Sequence, residues 1–440
     1  MTRRTYVITP HDTYDGTGAV FPTPAGVCTD LAFVLDRVSL DFDQEGVVVL
    51  CGVTRGQLRT DGLDTLWRGG LGQEAWTTFR PRKGVKDRAF VHLLLLDELV
   101  ASRSPMFERD TPPPVLADRL HAYHEATGAA FRMTPGVTGH AMIRRHYSNP
   151  MPGQSPLWHY HGPVGRATGP LWWQRKPTDD PLYPLAVKLD VRGAYAAAAG
   201  VVMLPWGALE LVDVPVFDRD HAGYWLLSGD TVSTTVAQWK NLFPGGPLPI
   251  DPRKALRGGQ LWVTTPLMTL LNDHGINPHV TEGYLAVEKL HHEGAEYEAG
   301  SRRLLRWWHE KLRDARGSAA EVPEVSEAVK RTANEAVGLF GKPGGRIYRP
   351  DWQAFVIDQA RANLLRKVYA RWSESGIWPL RVTGVDALWY PCAEGQEAGG
   401  MGDWCGERLG QLREVQRIPM FEYVTATTQT PTKTSAGVTV

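Results

Sequence analysis

Cysteine is scarce in this chain of 440 residues: Cys28, Cys51, Cys392 and Cys405 stand far apart, with no close pair. That spacing excludes a zinc-finger pattern and a disulfide framework, and it fits a reducing compartment. Long apolar runs are also missing, and none approaches the roughly 20 residues that a membrane-spanning helix needs. The opening Met1-Thr2-Arg3-Arg4-Thr5-Tyr6 is not followed by the apolar core of a signal peptide. A cytoplasmic protein with no membrane partner is therefore expected. An excess of one charge sign is absent too. Lysine plus arginine number 48 and aspartate plus glutamate 48, giving a net charge of zero. No global basic field announces a nucleic-acid partner, so any such site must be a local patch.

What is present is an ordinary globular composition, 42% hydrophobic and 22% charged, on a chain long enough for two or three domains. Gly46-Val47-Val48-Val49-Leu50-Cys51 reads as a strand, and Phe90 to Asp97 as a buried helix or strand. The breaker-rich stretch Ser148 to Pro156 is the best domain boundary. After it come a strand, Leu185 to Asp190, and an alanine-rich helix, Tyr195 to Gly200. Residues 266–345 read mostly as helix, Gln359 to Ala370 as another helix, and Pro379 to Tyr390 as two strands hinged near Gly384. The expected division is an N-terminal domain (1–155), a second domain (156–424) and a disordered tail (425–440) rich in threonine, serine and glycine.

Two aspartates carry the chemistry. Asp190 closes an apolar strand and Asp386 sits at a hairpin, so adjacent strands could bring the two carboxylates together to hold a pair of metal ions about 4 Å apart. Each has a plainer reading: Asp190 as the N-cap of the following helix, Asp386 as a turn former. Tyr195 would stand as a flat wall beside a bound sugar, or fill the core. Lys330, Asn334 and Gly338 recur at intervals of four and share one helix face. The lysine there can meet a triphosphate as a point charge. The glycine lets a base pair lie against the helix. A solvated polar face is the alternative. The stretch Ser301 to Arg316, with six Lys or Arg against two acids, adds Lys311 and Arg313 as candidate nucleotide-binding cations or as surface charge.

At these residues the chain resembles family B DNA polymerases, particularly the protein-primed branch. Asp190-Val191-Arg192-Gly193-Ala194-Tyr195 resembles motif A (Asp-x-x-Ser-Leu-Tyr), with Leu204-Pro205-Trp206-Gly207 after it. Lys330 and Asn334 keep the spacing of motif B, and Phe340-Gly341-Lys342 is similar to its end displaced by one helical turn. Gly384-Val385-Asp386-Ala387 aligns with the Asp-Thr-Asp-Ser of motif C, and Leu409 to Glu414 with the strand that follows it. Tyr160-His161-Gly162 corresponds to the linker before the polymerase domain. The resemblance spans residues 160–415.

What the resemblance implies is an α/β (α+β) fold: a right-hand palm with an antiparallel sheet, helical fingers and a reduced thumb. It also implies an N-terminal exonuclease-like domain on an RNase H-like sheet. The implied activity is DNA-directed nucleotidyl transfer with Mg²⁺ (or Mn²⁺) on Asp190 and Asp386, acting on a DNA primer-template and deoxynucleoside triphosphates, with a terminal protein as a further primer. Tyr195, Lys330, Asn334, Gly338, Lys311 and Arg313 would serve the incoming nucleotide. The chain departs from the family at Gly384, which replaces the first acid of motif C, and at Glu335, which stands where serine is usual. The exonuclease acids cannot be completed beyond the Asp43 and Glu45 pair, so that domain is expected to be degenerate. A catalytically weak or inactive DNA-binding descendant is the rival reading, and a two-metal hydrolase or nuclease on another fold ranks last.

Overall fold

The computed structural model describes residues 5–42, 45–61, 63–69, 76–83, 88–100, 104–108, 110–147, 171–176, 180–253, 259–286, 289–292, 295–298, 300–345 and 347–429. In chain order the strands used below begin with β1 (Thr5–Ile8), β2 (Asp12–Asp15), β3 (Val20–Pro22), β4 (Glu45–Leu50), β5 (Trp67–Arg68), β6 (Trp76–Pro81), β7 (Phe90–Leu95), β8 (Trp172–Gln174) and β9 (Leu185–Val191). They continue with β10 (Leu209–Asp213), β11 (Gly223–Ser228), β12 (Gln260–Thr264), β13 (Glu282–Ala286), β14 (Arg381–Thr383), β15 (Ala387–Cys392) and β16 (Leu412–Pro419). The helices are α1 (Leu31–Ser39), α2 (Pro113–Thr127), α3 (Pro135–His146), α4 (Ala194–Ala199), α5 (Arg306–Ser318), α6 (Pro323–Phe340), α7 (Pro350–Ser375) and α8 (Met420–Gln429). Contacts group the chain into two compact units, Met1–Leu157 with Trp307–Tyr348, and Trp158–Arg306 with Arg349–Val440. This grouping is not linear in sequence, because the helix bearing Lys330 belongs with the N-terminal segment.

The first unit is built on a sheet of order β3-β2-β1-β4-β7-β6-β5. Strands β1 to β3 form an antiparallel meander, β4 runs parallel to β1, and β7 parallel to β4. The ambiguous run at Phe90 is thus a strand. Its near-continuous apolar character, like that of β4, is what parallel strands covered on both faces require. Val48, Leu50, Val91 and Leu93 pack with Leu31, Val34, Leu35 and Val38 of α1. Asp30 caps α1, accepting from the Phe33 N–H at 3.1 Å.

Helix α6 packs on α2 and α3 of the same unit. Small residues make the approach possible: a Cβ on Gly139 would stand 2.9 Å from the Ala336 Cβ, and one on Gly136 would stand 2.6 Å from the Glu335 Cβ. Buried polar groups tie the seam. Burial pushes His140 down to about 4, so its neutral ring donates Nε2–H to the Ala336 carbonyl at 2.9 Å. The Thr332 hydroxyl donates to the Ala328 carbonyl, which makes the Tyr123 hydroxyl, 2.7 Å away, the donor to Thr332 Oγ1.

Glu45, at the head of β4, anchors a second polar knot. Its carboxylate is met by Arg132 and Arg145, each at 3.2 Å, and by Nε2 of buried His92, also at 3.2 Å. Burial alone would raise the Glu45 pKa. The hydrogen bond from His92, together with the charges of His92, Arg132 and Arg145, outweighs it and holds the pKa down at about 2.

The second unit carries an antiparallel sheet of order β16-β9-β15-β14-β8 and another of order β10-β13-β11-β12. One face of the first sheet, with Val187, Leu189, Leu388 and Tyr390, packs on Leu364, Leu365 and Val368 of α7. Three expectations are corrected here. Residues 266–345 are not mostly helical, since strands occupy Glu282–Ala286, Lys289–His292, Ala295–Glu298 and Gly300–Arg302. Gly275, at φ +76, and Pro278 end the preceding helix there. The tail is ordered at its start, because Thr425 to Gln429 continue α8, whose Tyr423 is buried. Asp190 is not a helix cap, since that position before α4 is held by Gly193. The segment Ser148 to Pro156, Tyr160 to Gly162, Asp43 and the tail beyond Gln429 lie outside the described residues. Among the described residues no helix is long and apolar enough to cross a membrane.

The depressed Glu45 pKa makes stability depend on pH in a defined window. A carboxyl held below its unfolded value stabilises fully above about pH 4.5, and loses that contribution as the pH falls through the folded value. Glu45→Gln is expected to lower stability at neutral pH by on the order of 3 kcal/mol. The gap from wild type in urea unfolding should close as the pH falls from about 4.5 toward 2. A gap that stays constant with pH would show that the carboxylate charge is not what holds this knot.

Candidate active site

Strand β9 lies inside its sheet, with β15 on one side and the edge strand β16 on the other. Alternation sends Val187 and Leu189 into the core and leaves Lys188 and Asp190 on the opposite face. Asp190 stands directly across from Ala387 on β15 and Arg413 on β16. Residues paired in this way share a face of the sheet. The Asp190 Oδ1 is buried and accepts no hydrogen bond among the described residues, while Lys188 Nζ lies 3.6 Å from it.

Asp386 occupies the turn between β14 and β15 and is exposed. The structure brings its backbone beside that of Asp190: the Val191 N–H donates to the Asp386 carbonyl at 2.7 Å. Gly384 opens this turn at φ +66, a left-handed conformation, and its N–H donates to the Leu171 carbonyl at 2.9 Å. Gly384 is therefore a turn glycine. A Cβ there would stand 3.3 Å from Asp386 Oδ1.

After β9 the chain turns through Gly193, at φ +55, into α4, which carries Tyr195, half-buried, and packs on α7. Arg192 fixes this corner to the loop before β16. Its backbone carbonyl accepts from the Gly410 N–H at 2.7 Å, and its Nε donates to the Gly406 carbonyl at 2.8 Å. A cavity of 200 Å³ beside α4 is lined by Ala194, Ala197, Asn363 and Lys367, and by Trp404, over whose ring Lys367 Nζ lies at 5.9 Å. Burial, then the neighbouring Arg366 charge, lowers the Lys367 pKa.

Asp190, Asp386 and Tyr195 thus lie in the second unit, whereas Lys330, Asn334, Gly338, Lys311 and Arg313 lie in the first. Lys330, Asn334 and Gly338 do share the less buried face of α6. Lys330 pairs with Glu327 at 3.1 Å, and a Cβ on Gly338 would meet nothing within 4 Å. Glu335 points at α3, where its carboxylate accepts the Gly136 N–H at 3.0 Å in the first turn, the end of the helix that favours an acid. Arg313 pairs with its neighbour Asp314 at 2.8 Å, and Lys311 is exposed. The sequence reading missed Lys188, Arg413 and Lys367. Lys188 was within reach, two residues before Asp190 in a strand; Arg413 becomes visible only once the strand pairing is known.

No protein-family model matches the chain, and no curated protein matches it. Among solved structures it is similar to Phi29 DNA polymerase complexed with primer-template DNA and incoming nucleotide substrates, with a TM-score of 0.45 and 11% identity, covering 95% of this chain and 85% of that one. It is also similar to Phi29 DNA polymerase complexed with single-stranded DNA, with a TM-score of 0.43 and 12% identity over 95% of this chain and 85% of that one. The post-translocation complex of the same polymerase with primer-template DNA gives a TM-score of 0.44 and 12% identity over 93% and 81%. At likenesses this low, the function has to be read from the residues of the site.

Gly384→Asp should destabilise the protein by about 1–2 kcal/mol, through left-handed strain and repulsion from Asp386. Gly384→Ala should cost about 1 kcal/mol from strain alone. Urea midpoints of the two variants check this, and a Gly384→Asp protein as stable as wild type would refute the turn geometry.

Proposed function

We propose that this chain is a template-directed DNA polymerase that adds deoxynucleotides to a DNA or protein primer. The observation that carries the reading is the β9–β15 ladder, which sets Asp190 opposite Ala387 and joins Val191 to Asp386 by a backbone hydrogen bond. Two acids distant in sequence become neighbours on a rigid sheet. Nothing in the local pattern of either segment requires that.

The residues present suit a magnesium ion (or manganese). Asp190 Oδ1 is a buried acceptor without a donor among the described residues, and the available ligands are hard carboxylate oxygens. Among the described residues no group of three or more His, Cys, Asp or Glu forms an all-protein cage. Magnesium is commonly held by one or two carboxylates together with substrate phosphates, so Asp190 and Asp386 are a sufficient protein share. When bound, such an ion activates a hydroxyl and neutralises charge on the phosphates. Lys188 and Arg413, on the same sheet face as Asp190, supply fixed positive charge suited to phosphate oxygens. Tyr195 is read as the wall that excludes a ribose 2′-hydroxyl. On the first unit, the face of α6 that carries Lys330, Asn334 and Gly338 is read by itself as nucleotide-binding, with Lys330 exchanging Glu327 for phosphate.

The N-terminal sheet, a meander continued by two parallel strands, suits an RNase H-like ancestry. Glu45 is committed there to Arg132, Arg145 and His92, so we read that domain as lacking nuclease chemistry. A second reading, a DNA-binding descendant without catalysis, is favoured by the glycine at 384 and by Lys188 resting on Asp190.

Primer extension with purified protein separates the two. Asp190→Asn and Asp386→Asn should each abolish incorporation while leaving DNA affinity largely intact, and the double variant should be no worse. Incorporation surviving either change sinks the assignment, and a salt-sensitive gel shift without incorporation in the wild type supports the second reading. Tyr195→Ala should raise ribonucleotide use on the order of a hundredfold, equivalent to a steric barrier of about 3 kcal/mol. Tyr195→Phe should keep the selectivity. An unchanged ratio in an active Tyr195→Ala enzyme makes Tyr195 a core residue.

A further inference from the structure

A cavity of 620 Å³ lies within the first unit, formed where the end of α2, the end of α3 and the start of α5 meet the head of β4. Its size is that of a small-molecule pocket. Arg132, Arg145 and Lys311 bring positive charge to it, and Glu45 is the acid among its lining residues. Glu45 takes one N–H from each arginine, at 3.2 Å. This pairing holds both guanidinium groups at the cavity wall. Lys311 has no ion-pair partner among the described residues. Its Nζ stands 3.1 Å from where a Cβ on Gly128 would be, and Gly128, at φ +65, is the residue that ends α2.

One wall is aromatic. Trp307 stacks on His146 with ring centroids 3.9 Å apart and planes 16° from parallel. Gly128, Ala129, Ala130 and Ala141 keep the remaining walls short. A metal ion is a poor occupant here, because the acid is already neutralised by cations. A bare anion would use the charges and ignore the rings. Cations beside a flat ring platform are the combination by which proteins hold nucleic-acid strands, charge tracking the phosphates and rings stacking on bases. We propose that this cavity binds a nucleotide unit, its phosphate held by Lys311, Arg132 and Arg145 and its base stacked on the Trp307–His146 pair. Lys311, expected from the sequence to meet a triphosphate, is assigned here instead. The site does not depend on the polymerase reading, since a non-catalytic binding protein would use it equally.

The test uses the full chain and a short 5′-phosphorylated oligodeoxynucleotide containing 5-iodo-2′-deoxyuridine. Irradiation followed by mass spectrometry should place the cross-link on Trp307 or His146. Fluorescence anisotropy with the same oligonucleotide should show about tenfold weaker binding for Lys311→Glu and for Trp307→Leu, with Lys311→Arg close to wild type. Competition by a free deoxynucleoside monophosphate identifies a nucleotide ligand, and competition by strand alone identifies a nucleic-acid segment; either supports the site. Inorganic phosphate competing as well as the nucleotide, with Trp307→Leu unaffected, would overturn it. A cross-link outside the cavity together with normal binding by Lys311→Glu would do so as well. Should Trp307→Leu fail to fold, the exposed Lys311 variants and the cross-link decide alone.

Discussion

The register of β9 against β15 and β16 is the constraint on which the candidate active site depends. Asp190 shares a face with Ala387 and Arg413 only because Val187 and Leu189 are committed to the other face, against α7. Each of those buried side chains contributes roughly 1.5–3 kcal/mol. A slip of one residue would expose them and bury Asp190, reversing every side chain on the strand. Hydrophobic burial on one face of β9 thereby positions a carboxylate on the other, and the glycine turn at 384 presents Asp386 to the same end of the ladder.

Much of this was legible in the sequence. The apolar run ending at Asp190, the helix after it, the long helix around Gln359 and the hinge at Gly384 all follow from local pattern. They do so because β-branched runs, alanine clusters and glycines act over a few residues. What local pattern cannot show is pairing. Arg413 lies opposite Asp190 through a contact spanning more than two hundred residues, and only the sheet order reveals it. The stretch from 266 to 345 misled because its helices flank short strands whose glycines and proline were outweighed by the helical periodicity on either side.

Glu335 illustrates how a residue out of place for one role is explained by another. An acid beside a nucleotide's phosphates would repel them, but this one is turned to the start of α3, where backbone N–H groups favour it. The same turn of α6 offers Ala336 and Thr332 to Gly139. Small residues on both helices let two backbones approach closely enough for His140 to reach a main-chain carbonyl. The less buried row of Lys330, Asn334 and Gly338 is left over by that packing. Structure and any ligand thus divide α6 between them by face.

The non-linear grouping of the chain has a consequence for how the protein is made. Helices α2 and α3 leave the ribosome long before α6, the helix that covers them, and residues 158–306 of the other unit intervene. At about 5–20 residues per second, the seam of Gly136, Gly139 and His140 waits on the order of ten to thirty seconds for its partner. During that interval the N-terminal sheet can form, but an apolar groove beside it stays open to water. The first unit is therefore a late assembly. The time taken to translate residues 158–306 thus sets how long that groove waits for α6.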